Sequence, residues 1–216
     1  MIKKITSLTA VCLLAACSTA KTEPQPTAQA EQPLPSFVFV KDVAGAKTVG
    51  KGSIGYRFVL LQPNTNRPAV NTPFAISHAA GKLPFANVKN TYHGITDERG
   101  MTPLFAFEQA VPEQGWVLVP RVGEGMEGGW VTLSNPQQQL LVGIPYSIAV
   151  CGAKPYWVHG KTNSIGQTAH VAYSGQAHSM LYPYIADPAV QQTRLQACPA
   201  PKAAAKSKPN KKSTKK

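Results

Sequence analysis

Acidic side chains and cysteines are scarce in this chain of 216 residues, which has 10 aspartates and glutamates against 22 lysines and arginines, and 4 cysteines. Charged residues make up only 15% of the sequence, which is low for a helical cytosolic protein. Long helices are also disfavoured, because 17 glycines and 19 prolines interrupt the chain and favour turns. The composition therefore predicts a fold of short strands and many turns.

The net charge of +12 does not indicate a nucleic-acid-binding domain, because much of it lies at the two ends of the chain. Lys3 and Lys4 begin the sequence, and seven lysines follow residue 201. The segment 37–201 between these ends has a net charge of only +4. We therefore expect no nucleic-acid partner.

Recognisable catalytic patterns are missing as well. The sequence contains no G-x-S-x-G, H-E-x-x-H or C-x-x-C pattern, and its acidic residues are scattered without the pairing of a hydrolase. We therefore expect no catalysis, no cofactor and no metal. One alternative stays open, in which His159, His170 and His178 meet as a metal site and the protein is a metal-dependent hydrolase of cell-wall polymer.

The first 16 residues are typical of a secretory signal peptide. A charged start is followed by an apolar run from Leu8 to Ala16, which is too short to span a bilayer as a helix. Leu14-Ala15-Ala16-Cys17 resembles the lipobox of bacterial lipoproteins, which implies that Cys17 is acylated and begins the mature chain. By the same resemblance, Ser18 favours the outer membrane, with the body in the periplasm or at the cell surface.

Two low-complexity segments flank the body. Residues 17–36 are rich in Pro, Gln, Thr, Ala and Glu and predict a flexible tether. Residues 201–216 are rich in Lys, Ala and Pro and predict a disordered basic tail. The tail either only solubilises the protein or attracts it to an anionic surface such as peptidoglycan or lipid headgroups.

The cysteines predict one disulfide bond. Cys12 leaves with the signal peptide and Cys17 carries the lipid, so Cys151 and Cys198 remain. A bond between them is the default in an oxidising compartment.

The most informative feature of the body is an internal repeat. Its pattern is V-x-x-P-F/Y-x-I, a spacer, and H-G-x-T-D/N-x-x-G-x-T. The two copies occupy 70–76 with 93–102 and 142–148 with 159–168. We interpret the repeat as two tandem units, 37–125 and 126–200.

Each copy predicts a strand followed by a tight turn. The P-F/Y-x-I segment alternates in the manner of a half-buried strand. In the turn, the Asp or Asn side chain bonds the backbone two residues on, and the last Gly supplies a positive φ. The turn and structural residues are Gly94, Asp97, Gly100, Gly160, Asn163 and Gly166.

The repeat resembles prealbumin-like and carboxypeptidase-regulatory-like modules, which recur in bacterial envelope and secretion-system proteins. The resemblance implies an all-β fold of two tandem small antiparallel β-sandwich units that serve as a binding scaffold. It covers about 100 of the 160 body residues. Asn163 departs from the usual Asp of the pattern, and this substitution is compatible with the turn.

Aromatic residues beside prolines and the Gly-rich stretch 123–130 supply candidate partner-binding residues. These are Met126, Trp130, Tyr156, Trp157, Tyr182 and Tyr184. Such residues anchor interfaces, but they also fill the cores of small sandwiches, and the Gly-rich stretch is also explained as a linker.

The sequence thus favours a lipid-anchored envelope protein that binds a protein partner, as an adaptor accessory to an envelope or secretion assembly. A periplasmic immunity lipoprotein that neutralises a toxin is an alternative, since it would also be a small tethered binder.

Overall fold

A computed structural model describes residues 35–199, except Asp42, Val43, Asn64, Lys82, Lys89 and Gln176. These residues belong to one compact unit of the chain. The predicted signal peptide, the predicted lipidation site Cys17, most of the predicted tether and the predicted basic tail lie outside the described residues. The described part is mostly β, as predicted, with thirteen strands and one short helix.

The thirteen strands follow one another through most of the described chain. They are β1 (Phe37–Phe39), β2 (Thr48–Gly50), β3 (Ile54–Tyr56), β4 (Phe58–Leu60), β5 (Pro73–His78), β6 (Tyr92–Ile95), β7 (Leu104–Phe107), β8 (Trp116–Gly123), β9 (Glu127–Gly129), β10 (Pro145–Cys151), β11 (Tyr156–Lys161), β12 (His170–Tyr173) and β13 (His178–Pro183). The helix α1 spans Pro188–Gln196.

The first half of the body surrounds an aromatic core. Strands β1 and β4 form a two-stranded sheet, and β2, β7 and β3 form a three-stranded sheet. Their inward residues pack against those of β5 and β8, and Phe58, Phe74 and Phe105 are fully buried. The alternating pattern of β5 places Phe74 and Ile76 in this core.

A five-stranded sheet with the order β6-β5-β8-β12-β9 connects the two copies of the repeat. Strand β8 follows the first copy and pairs in parallel with β12 of the second, with His170 opposite Arg121. Strands β2 and β7 also pair in parallel. Apart from these two parallel pairings, the ladders are antiparallel, as predicted. Whether 37–125 and 126–200 fold as separate units stays a prediction.

The second half has its own sheet and core. Strands β11, β10 and β13 form an antiparallel sheet. Tyr146, Ile148 and Val150 alternate along β10 and pack with Val158 and Val171 in a second core. The opposite face of β10, which carries Ser147, points away from this core because neighbouring residues of a strand point to opposite faces.

The helix α1 was not predicted. It starts at Pro188 behind Asp187, whose side chain accepts a hydrogen bond from the Ala189 amide at 2.8 Å, and none of its residues is buried. Cys198 lies just beyond the helix and forms the predicted disulfide bond with Cys151, with a Cα–Cα distance of 5.4 Å. Within the described residues, no helix is long and apolar enough to cross a membrane.

Candidate functional site

The two copies of the repeat share a hydrogen-bonded turn. The Asp97 carboxylate accepts hydrogen bonds from the amides of Arg99 and Met101, at 2.9 and 2.8 Å. In the second copy, the Asn163 side-chain oxygen accepts the matching bonds from Ile165 and Gln167, at 3.1 and 2.8 Å. The turn glycines Gly100 and Gly166 have φ of 76° and 69°. Asn therefore replaces Asp without loss of the turn, because both side chains offer the accepting oxygen.

The glycine of each His-Gly pair lies beneath an aromatic ring. Gly94 pairs with Phe74, and Gly160 pairs with Tyr146. An added Cβ would lie 2.8 Å from the Phe74 ring at Gly94 and 2.5 Å from the Tyr146 hydroxyl at Gly160. These glycines are therefore required for close packing across the strand pair.

The repeated histidines occupy equivalent positions with different neighbours. His93 lies opposite Ala75, whereas His159 lies opposite Ser147. The Ser147 hydroxyl oxygen is 2.9 Å from His159 Nδ1 and accepts a hydrogen bond from the Ile185 amide at 2.9 Å. The Ser147 hydroxyl therefore links the His159 ring to the Ile185 backbone, and the His159 side chain is exposed at the surface.

Around His159, the outer face of the β11-β10-β13 sheet carries an aromatic cluster. We define it as Trp157, His159, Tyr182 and Tyr184. The ring centroid of Trp157 lies 5.9 Å from that of His159 and 5.6 Å from that of Tyr182. His159 and Tyr184 meet at 5.6 Å, and Tyr184 is 52% exposed. The cluster thus combines large apolar rings with polar tips that reach solvent.

The helix α1 lies along one side of the aromatic cluster. The Trp157 indole donates a hydrogen bond to the Gln191 carbonyl at 3.2 Å, and the Arg194 guanidinium lies 5.5 Å from the centre of the Tyr182 ring. The disulfide bond ties the end of this helix to β10. The helix and the bond together hold the cluster in place.

The structure brings three of the six predicted partner-binding residues together: Trp157, Tyr182 and Tyr184. Tyr156 lies on the opposite face of β11, where its hydroxyl donates to the Ala172 carbonyl at 3.1 Å. Met126 is 60% exposed in the loop before β9, and Trp130 contacts His170 instead. Neighbouring residues of a strand point to opposite faces, so the alternation along β11 could have predicted that Tyr156 and Trp157 do not share a surface.

The Ser147–His159 pair lacks the accessibility of a catalytic dyad. Ser147 is fully buried and its hydroxyl is already committed to two partners. The possible metal set is also dispersed: His178 and His159 pair with β10 at Cys151 and Ser147, and His170 belongs to the other sheet. Among the described residues, no group of three metal-ligating side chains is present.

A second polar group lies on the five-stranded sheet, and we call it the basic cluster: His93, Arg121 and His170. The rings of His93 and His170 meet with centroids 4.7 Å apart, and Trp130 covers His170 at 5.8 Å. One Arg121 Nη donates to the Gly125 carbonyl. Sequence reasoning missed this cluster because its members come from three strands and both copies.

Burial and positive charge act together on the basic cluster. Desolvation, the neighbouring His93 and the Arg121 charge lower the pKa of His170 to about 4. Desolvation and Arg121 also lower the pKa of His93. Both imidazoles are therefore neutral at pH 7.

A cleft of about 690 Å³ lies beside His78 and is lined in part by Lys51, Leu83 and Glu108. The His78 ring uses both nitrogens: Nδ1 accepts from the Ala80 amide at 3.0 Å, and Nε2 lies 2.9 Å from the Pro112 carbonyl. This histidine therefore fixes the loops that form the cleft and does not present a free nitrogen to it.

No family model, curated protein or solved structure matches this chain.

Proposed function

We propose that this protein is a lipid-anchored, envelope-facing binding protein without catalytic activity, which holds a protein partner through the aromatic cluster. It would serve as an adaptor accessory to an envelope or secretion assembly. The observation that carries the proposal is the convergence of Trp157, Tyr182 and Tyr184 on one outward face. The first 17 residues, which resemble a signal peptide with a lipobox, support the proposed location.

The chemistry of the aromatic cluster suits a protein interface. Large aromatic side chains dominate the energetics of protein interfaces, and Trp, Tyr and Arg are the commonest anchors. The cluster itself offers Trp and Tyr, and the exposed Arg194 of the neighbouring helix lies against the Tyr182 ring. Because the helix and the disulfide already hold the rings, little side-chain entropy remains to be lost on binding.

The test compares Tyr184→Ala with wild type in a crosslinking pull-down from intact cells. Tyr184 is half exposed, so its removal leaves the core intact. We expect the partner to be lost from the variant, by about tenfold or more for a central anchor. Ile95→Ala is the matched control, because Ile95 is 65% exposed on the other sheet. Equal capture by wild type and Tyr184→Ala would contradict the proposed binding surface.

The proposed anchor has its own test. Cys17→Ala should release the protein from the membrane fraction or leave an unprocessed precursor, because no acyl chain can be attached. Fractionation with an acyl label measures this. Unchanged labelling and unchanged membrane association would contradict the anchor and leave the binding surface untouched.

The basic tail would add electrostatic attraction to anionic peptidoglycan or lipid. Deletion of 202–216 should weaken association with isolated cell wall, and salt should mimic the deletion because it screens the seven lysines. Unchanged association after deletion would favour a purely solubilising tail.

A further inference from the structure

We propose that the basic cluster is a binding site for an oxyanion, a phosphate or carboxylate group that its nitrogens hold by hydrogen bonds. The site is separate from the aromatic cluster and does not depend on the proposed function. Three observations lead to it: unpartnered nitrogens, positive charge without a carboxylate, and side chains that converge from three strands.

Three nitrogens of the basic cluster are buried and lack hydrogen-bond partners, although one Nη of Arg121 bonds the Gly125 carbonyl. They are His93 Nε2, His170 Nδ1 and Arg121 Nε. His170 is only 4% exposed. An unpartnered buried polar atom is rare, because leaving it without a hydrogen bond is costly, and here three such atoms belong to side chains of one cluster.

In the sheet, β5 and β8 lie between the strands that carry His93 and His170, and β8 itself carries Arg121. His93 is on β6, Arg121 is on β8 and His170 is on β12. The register places them on the same face, since His93 pairs with Ala75, Ala75 with Val119, and Arg121 with His170. The small, fully buried Ala75 and Val119 between them leave room for the longer side chains to meet.

Charge distinguishes an anion from a metal cation at this site. Arg121 lowers the pKa of both imidazoles, and for His170 the other charge effect comes from His93. None of the effects on the pKa values of the two imidazoles comes from a described carboxylate. Glu124 acts on the Tyr156 hydroxyl, as Arg121 also does, and Glu127 lies opposite Tyr173, on the other face of β12. On the same face, β5 contributes Ala75 and β9 contributes Gly128, neither of which titrates.

A guanidinium with two imidazoles therefore repels a cation and attracts an anion. Arg121 Nε donates at every pH, and each imidazole donates from the nitrogen that carries its proton. A bound anion would in turn favour the imidazolium forms, so the affinity should rise as the pH falls from 7 towards 5. His93, Arg121 and Trp130 are partly exposed, which gives a small ion access to the cluster.

The experiment titrates the full chain with inorganic phosphate and, separately, with acetate, against chloride at equal ionic strength. It follows the thermal midpoint and the imidazole NMR signals of His93 and His170. We expect phosphate, acetate or both to raise the midpoint and shift both imidazole signals, more strongly at pH 5.5 than at pH 7. Response to one ion alone identifies the group the site takes.

Arg121→Gln should weaken binding about 10- to 100-fold, because a charged hydrogen-bond donor is lost. Arg67→Gln, an exposed arginine on a turn, is the matched control and should bind like wild type. If Arg121→Gln fails to fold, the wild type still tests the proposal, because an anion bound at the cluster must shift the imidazole signals of His93 and His170. The proposal would be overturned if phosphate, acetate and chloride changed the thermal midpoint and the imidazole signals equally. It would also be overturned if Arg121→Gln and Arg67→Gln weakened binding to the same extent.

Discussion

The two copies of the repeat keep the same turn but use the strand before it differently. In both copies an Asx side chain closes the turn, and an aromatic ring covers the glycine of the His-Gly pair. The histidine beside that glycine joins the basic cluster in the first copy and the aromatic cluster in the second. The residue opposite it also differs, since Ala75 faces His93 and Ser147 faces His159. The comparison teaches that backbone geometry is kept where the turn requires it, whereas the side chains on the other face of the strand, away from the ring that covers the glycine, diverge.

The disulfide bond provides the largest difference between the copies, because only the second copy has one. Replacing Cys151 and Cys198 with Ala should lower the free energy of unfolding by about 3–4 kcal/mol, since the bond closes a loop with a sequence separation of 47. Urea unfolding of oxidised and variant protein measures this. Two free thiols in the wild type, or an unchanged midpoint, would contradict the prediction.

The turn glycines test whether the copies are equivalent. Gly100→Val and Gly166→Val should each destabilise the protein by about 3 kcal/mol, because a β-branched residue resists positive φ. The new side chains would also crowd Pro68 and the Leu133 carbonyl, at 2.7 and 2.8 Å from the added Cβ.

Gly175→Val is the matched control for these two variants. Gly175 has φ of 67° but nothing within 4 Å of an added Cβ, so it reports backbone strain alone. Thermal melts of the three variants give the comparison. Unchanged melting temperatures for Gly100→Val and Gly166→Val would contradict the prediction that the shared turn requires glycine at these positions.

The buried His170 makes stability depend on pH. Its pKa of about 4 lies below its ordinary value of 6.5, so the unfolded chain binds the proton first as the pH falls. Stability should be complete above pH 6.5 and fall by about 2 kcal/mol at pH 5. Urea unfolding from pH 7 to pH 4, in buffers free of phosphate and carboxylates, measures this fall. His170→Gln should flatten the profile, and an equally steep profile in the variant would refute the assignment.

The smallest effect concerns the Asp and Asn that distinguish the two turns. Asp97→Asn keeps the accepting oxygen but removes the charge that pairs with Arg57 Nη2 at 3.1 Å. We expect a loss of about 1 kcal/mol, because the carboxylate is partly exposed and screened. Chemical denaturation should show this loss to disappear at high salt. A loss that is independent of salt would assign the effect to the turn and not to the charge.

Several features of the fold were accessible from the sequence. The alternation of P-F/Y-x-I and the Asx-x-x-Gly spacing depend on nearby residues only, so they predict strand, turn and all-β class. The parallel pairing of β8 with β12 depends on residues about 50 positions apart and leaves no local pattern. The helix α1 was missed because it contains only Val190 and Leu195 as large apolar residues, and depends on Asp187 and the disulfide for its position.

In the candidate sites too, single residues could be predicted from their neighbours in the sequence, whereas contacts between distant residues could not. Trp157 and Tyr184 could be named individually because aromatics beside prolines stand out, but their grouping with His159 needed the register of β10. The basic cluster could not be predicted, since His93 and His170 are 77 positions apart in the sequence and their contact requires the parallel pair.

The parallel pairing of β8 with β12 also bears on how the chain reaches its final state. During synthesis, one edge of β8 has no partner until residues 170–173 have emerged, so the sheet closes late and the first copy stays open to wrong pairings until then. A chain cut between residues 125 and 126 would carry the two halves of this pairing on separate fragments. Neither fragment alone could complete the five-stranded sheet, so the parallel pair makes the first copy depend on the second for its final structure.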